Sequence, residues 1–286
     1  MSQHLPPTGL RPLVVVADDL GLSRGVNRAI RRAHLHGVVG STSLLAVGRH
    51  FDDAVTMLHA TPTLGVGAHL ALVGEDPPLL PTAQIDTLVD RRGRFPLGYR
   101  GFLARAAAGR VDRDQVRLEL AAQLERITAA GLTPTHLDTH QHLHLWPLVG
   151  SVVVELARVN DIGHVRLPTT QQRTPVGVGV RLLSRRLAGS LARAGLPCVP
   201  YAGLDEAGRM DGAAIGRAVA VLARCGTGPA ELNLHPGEDD PEHERFAWGY
   251  RWAHELAAAV DPGPPDRLRE RGFAATSSAD ALGYRR

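Results

Sequence analysis

The feature that most restricts this chain is its rhythm: a short apolar or β-branched run, then a stretch with helical periodicity, repeated along most of its length. Adjacent parallel strands need crossover connections of a dozen or more residues, so this rhythm predicts a parallel sheet flanked by helices. The first strand is expected over Leu13–Ala17. Ser23 is a good N-cap for a helix whose apolar face is Val26, Ile30 and Ala33 and which stops at Gly37. Further strands are expected at Val38–Leu45, Leu64–Leu70, Pro134–Thr139, Gly163–Leu167, Cys198–Ala202, Ala230–Leu234 and Phe273–Thr276. Helices are expected at Asp52–His59, Asp114–Ala130, Pro147–Val159, Asp205–Arg224 and Arg245–Val260. About eight such units predict a TIM-like (β/α) barrel of seven or eight strands, regular or distorted, with an open doubly wound sheet as the alternative. Residues 1–286 read as a single domain. The Pro- and Gly-rich stretch Val73–Arg110 breaks the rhythm and is expected to be an insertion that covers the substrate.

Composition removes several chemistries. All 32 basic residues are arginine, and with no lysine the chain cannot be a Schiff-base aldolase, a pyridoxal-phosphate enzyme, a phosphate-loop nucleotidase or a protein kinase. The two cysteines, Cys198 and Cys225, form no CxxC motif, so any metal would need imidazole and carboxylate ligands. With aromatics at 4%, the core must be aliphatic. The net charge of +3 is spread over scattered arginine pairs such as Arg31–Arg32 and Arg185–Arg186, which read as solvated faces, so no nucleic-acid partner is expected. The first dozen residues lack an apolar signal core and no run of about 18 apolar residues occurs, which predicts a cytoplasmic protein without an integral membrane segment.

The polar residues at the strand ends point to a site. Asp18 and Asp19 follow the first strand, His69 ends the third, His136, Asp138 and His140 run through the fourth, Arg166 comes late in the fifth and His235 follows the seventh. In a parallel α/β fold all these ends face one mouth. In the tract Thr135–His144, strand alternation would put His136, Asp138, His140, His142 and His144 on one face. So many imidazoles beside a carboxylate favour a metal, with a closed hydrogen-bond cluster as the alternative. The Asp18–Asp19 pair suits hydrolysis if one carboxylate holds a metal and its neighbour takes a proton from water. His4, His34, His36, His50, His59, His164, His243 and His254 read as surface or capping residues. A competing motif is GLSRG, Gly21 to Gly25, which matches the nucleophile elbow of a serine esterase with Ser23, Asp138 and His235 in the required order. A non-catalytic basic binding protein is a third reading.

The blocks ADDLGLSRGVN (17–27), VGSTSLL (39–45), VGAHL (66–70), PTHLDTHQHLHLWP (134–147), VRLP (165–168) and LNLHPG (232–237) resemble, in order and spacing, the YdjC/ChbG family of carbohydrate deacetylases, which includes hopanoid-biosynthesis-associated HpnK-like members. The resemblance implies a (β/α) barrel with one divalent metal, Mg or Zn, held by Asp19, His69 and His140. It further implies Asp18 as general base and His235 as oxyanion stabiliser or acid, with Arg166, His136 and Asp138 binding substrate or supporting those groups. The implied substrate is an acetylated amino sugar, a chitooligosaccharide or lipid-linked N-acetylglucosamine, with homodimer formation left open. Leu20 stands where the family often has Phe, and Gln141 interrupts what is often a run of three His.

Overall fold

A computed structural model of the protein describes residues 9–261 and 263–283; His4 lies outside them. Among the described residues the strands are β1 Arg11–Leu20, β2 Ser41–Leu44, β3 Gly65–Leu70, β4 Leu137–Thr139, β5 Tyr201–Ala202, β6 Ala230–Leu234 and β7 Phe273–Thr276. Between and after them run α1 Arg24–His36, α2 Phe51–His59, α3 Tyr99–Ala107, α4 Arg113–Ala129, α5 Pro147–Val159, α6 Pro175–Arg193, α7 Gly212–Leu222, α8 Trp252–Val260, α9 Gly263–Glu270 and α10 Ser278–Leu282. Every strand pairing is parallel, in the order β4-β3-β2-β1-β6-β5, with β7 alongside the first half of β1. The sheet curls into a distorted TIM-like half-barrel, and among the described residues no ladder joins β5 back to β4.

The central strand β1 is buried on both faces from Leu13 to Leu20, which is why its first part, Leu13–Ala17, reads as an unbroken apolar run. Helices pack onto the sheet through the faces their periodicity predicts: Val26, Ile30 and Ala33 on α1, and Val116, Leu120, Leu124 and Ile127 on α4 are buried. Ser23 caps α1 by accepting from the Val26 amide.

Two expected strands need correction, and one helix was not anticipated. The segment 163–167 is not a strand but a single bridge, Leu137 to Val165, cut short by Pro168. The strand expected from Cys198 begins only at Tyr201, because Pro197 and Pro200 carry no N–H to donate to a ladder. Helix α6 was not among the expected elements, since the glycines of PVGVGV count against a helix; Thr174 caps it at the Gly177 amide and Pro175 opens its first turn.

The insertion is folded rather than loose. It contains α3, buries Ile85, Leu88, Phe95 and Phe102, and docks on α4, where the buried Glu119 carboxylate accepts the Leu79 and Leu80 amides. Its first residues border the sheet mouth, with Gly74 against the His140 ring.

Gly67 on β3 permits a close approach to its neighbour: a Cβ at this position would overlap the ring of the fully buried His136. Gly67→Ala is therefore expected to destabilise the fold by about 1–3 kcal/mol, as overpacked cores do, read as a lower urea midpoint with unchanged slope.

Candidate active site

The site begins with an irregularity in β1. Register against β2 runs Val16 to Ser41 and Ala17 to Thr42, but then Leu20 to Leu44, so one extra residue is inserted at the Asp18–Asp19 pair. Asp19 takes a left-handed conformation, φ 67°, which an L-residue adopts at a cost. In a regular strand the two side chains would point to opposite faces; the bulge turns both carboxylates into one buried cluster at the sheet mouth.

Arg166 organises that cluster. Its guanidinium, wholly buried, grips Asp18 with both ends of its fork at 2.5 and 2.7 Å, lies 2.8 Å from Asp138 Oδ2, and donates from Nε to Glu231 at 2.5 Å. Three carboxylates from β1, β4 and β6 thus converge on one cation. Burial alone would raise the pKa of Asp138 and Glu231, but Arg166 overcomes it: Asp138 is held well below the usual range and Glu231 at about 2. Ser43 donates to Asp138, Asn233 to Asp18, and His164 pairs with Glu231 at 2.8 Å.

Asp138 in turn orients His69. It accepts from His69 Nδ1 at 2.6 Å, leaving Nε2 at 3.3 Å from Asp19 Oδ1 and 3.4 Å from His140 Nδ1; that nitrogen lies 3.1 Å from Asp19 Oδ1. A cation about 2.1 Å from each of three donors, at angles of about 90–110°, spaces them about 3.0–3.4 Å apart, so Asp19, His69 and His140 could hold a metal ion. The charge balance fits as well: Asp18, Asp19, Asp138 and Glu231 are buried around one guanidinium, leaving excess negative charge. Burial would lower the pKa of His69, yet Asp138 and Asp19 raise it to about 10, a measure of how strongly the pocket favours positive charge. A second grouping, Asp18, His69 and Asp138, shares both its carboxylates with Arg166, whose charge opposes a cation there.

His235 follows β6, its Nε2 3.8 Å from Asp18 Oδ2. Its backbone amide donates to Glu255, a fully buried carboxylate of α8 that also accepts the Met210 amide. Glu231 and Asn233 were not singled out from the sequence, although two-residue alternation with His235 along β6 would have placed all three on one face. Glu255, Trp248 and Tyr250 belong to no motif.

The alternation expected along Thr135–His144 fails after His140. Gln141 and His142 both have left-handed φ, and the chain passes into a 3-10 turn, His140–Leu145. His142 swings towards the Tyr201 hydroxyl, and His144 bonds Thr139 and the Arg166 carbonyl, a neutral scaffold imidazole whose pKa burial pushes down to about 4. His136 is likewise depressed to about 4 by burial, wedged between Ser43 and Ser278 rather than among the Asp19 donors. His164, expected at the surface, is buried against Glu231. The serine-esterase geometry is not assembled: Ser23 is fully buried, pairs with His243 Nε2 at 2.8 Å, and Asp138 is engaged with His69 and Arg166.

Two segments wall the mouth. Asp76 and Glu75 of the insertion accept from Arg245 and from the Trp248 indole, and the Trp248 ring lies 5.1 Å from that of His140.

Residues 12–270 match the family described as YdjC-like protein. A carbohydrate deacetylase from Geobacillus stearothermophilus is 35% identical over 266 residues, covering 92% of this chain and 94% of that protein. A carbohydrate deacetylase from Thermoanaerobacter pseudethanolicus is 28% identical over 236 residues, 82% of this chain and 84% of its own. The crystal structure of a candidate cellobiose-phosphate cleavage protein from Enterococcus faecalis V583 superposes with a TM-score of 0.78 at 22% identity, covering 94% of this chain and 98% of that one, which shows a shared fold.

A carboxylate whose pKa is depressed by folding stabilises the fold above its unfolded pKa and loses that contribution as pH falls through the folded value. With Glu231 moving from 4.5 to about 2, Glu231→Gln is expected to cost about 3 kcal/mol at neutral pH. The gap from wild type in urea melts should close as pH falls from 4.5 towards 2.

Proposed function

The chain belongs to the YdjC-like family, and from that membership together with the buried acid–imidazole cluster we propose that it is a metal-dependent carbohydrate deacetylase, hydrolysing the N-acetyl group of an acetylated amino sugar to acetate and a free amine. The observation that carries this reading is the facing triangle of Asp19 Oδ1, His69 Nε2 and His140 Nδ1 beside a second, separately anchored carboxylate, Asp18.

Asp19, His69 and His140 would hold one divalent cation, Mg or Zn by the hardness of its oxygen and nitrogen donors. Bound there, it would supply Lewis acidity towards the acyl oxygen and acidify water. Asp138 fixes the His69 tautomer, so that Nε2 faces the donors' common centre. Asp18 acts as the base. Its Oδ2 accepts from Arg166 and Asn233, but among the described residues Oδ1 accepts only from Arg166 and keeps a lone pair for a water proton. Arg166 is a positioning residue, too buried to meet substrate. His235, beside Asp18 and backed by Glu255, protonates the departing amine or stabilises the oxyanion. His136 supports the site from beneath β3. The insertion 73–110, through Gly74 and Glu75, covers one side of the bound sugar.

The reading is tested by acetate release from N-acetylglucosamine oligosaccharides and lipid-linked N-acetylglucosamine, using chelator-stripped protein and protein reloaded with Mg or Zn. Release is expected only after reloading. Asp18→Asn should lower turnover at least about 100-fold, the scale of general-base catalysis, while keeping metal; alanine at Asp19, His69 or His140 should lose the metal itself. Chelator-resistant turnover abolished by a serine-directed reagent would support Ser23 instead.

A further inference from the structure

Tyr250 stands out among the polar groups at the mouth. Its ring meets that of His235 edge-on, with centroids 5.1 Å apart, and lies 5.5 Å from Trp248 and 5.6 Å from Trp252. The other side of the ring rests on Gly208, whose φ of 75° and missing Cβ leave the space the phenol occupies. The neighbouring Arg251 amide donates to the Gly208 carbonyl at 2.7 Å, which fixes the two segments together. The phenol is therefore held in one place.

Its hydroxyl has no hydrogen-bond partner among the described residues. Tyr201, the other tyrosine of the site, donates to Asn233 at 2.7 Å, and the carboxylates of Asp18 and Glu231 are bonded to Arg166. Burial, then Asp19, Glu255 and Asp18, push the Tyr250 pKa upward, so at neutral pH the group is an O–H donor. A carboxylate-rich cluster repels the negative charge that grows on an acyl oxygen during amide hydrolysis, and stabilising that charge requires donors. The described geometry offers His235 and, beside it, an unspent phenol.

We propose that Tyr250 is a catalytic residue whose hydroxyl donates a hydrogen bond to the substrate's acyl oxygen as the tetrahedral adduct forms. The proposal rests on the deacetylase reading and adds to it a donor that no motif contains. Water adds to the acyl carbon, the C–N bond breaks, and the phenol keeps its proton throughout, acting by hydrogen bonding alone.

Tyr250→Phe removes one oxygen and keeps the ring. With metal-reloaded enzyme and an N-acetylglucosamine oligosaccharide, kcat for acetate release is expected to fall about 10- to 1000-fold, the range for loss of an oxyanion donor. KM should stay within about threefold, and metal content and thermal midpoint should match wild type. Gly208→Ala, which displaces the ring but keeps the hydroxyl, should lower kcat in the same direction. An unchanged kcat in Tyr250→Phe, a rise in KM alone, or loss of metal or of cooperative melting would overturn the proposal. A wild-type enzyme that releases no acetate with any metal would overturn the deacetylase reading and this proposal with it; an active wild type with an indifferent Tyr250→Phe would overturn only this one.

Discussion

The guanidinium of Arg166, buried between Asp18, Asp138 and Glu231, is the contact on which the rest of the site depends. Removing ions from water costs several kcal/mol each, and the cost is offset only where geometry is good and every donor and acceptor is used. A planar guanidinium fork reaches three carboxylates at once, where a single ammonium would not. By joining residues of β1, β4 and β6, the pairing also sets the mouth of the curled sheet. Asp138 then fixes His69, and His69 faces Asp19 and His140, so the metal-competent triangle inherits its geometry from an arginine that touches neither Asp19 nor His140 in any bond described.

Backbone strain is placed where it does chemical work. A left-handed non-glycine residue costs on the order of 1–3 kcal/mol, and Asp19, Gln141 and His142 all adopt this conformation at the mouth. At Asp19 it brings adjacent carboxylates into one cluster. At Gln141 and His142 it ends the strand, keeping His140 beside Asp19 while His142 and His144 turn to Tyr201 and Thr139. Gln141, now free of the strand, accepts the Tyr99 amide and ties the insertion's helix to the site.

Much of the fold was legible because strand and helix periods differ, and β1, α1 and α4 announce themselves by buried faces alone. What escaped was decided by tertiary context. Helix α6 carries glycines that local propensity counts against it, and the 163–167 run has strand composition but only one bridge. Within the site, strand-end positions and the family resemblance located Asp18, Asp19, His69, His140, Arg166 and His235. Glu231 and Asn233 were readable by alternation along β6 but went unread, whereas Glu255 and Tyr250 reach the site from a non-repetitive stretch and the helix after it, where no period guides a reader.

The excess negative charge at the mouth would be met by one cation at Asp19, His69 and His140. Anomalous diffraction from crystals soaked in Zn or Mn tests it most directly. A single peak bonded to Asp19 Oδ1, His69 Nε2 and His140 Nδ1 is the predicted result. A peak bridging Asp18, His69 and Asp138, or no peak within the cluster at saturating metal, would contradict the account.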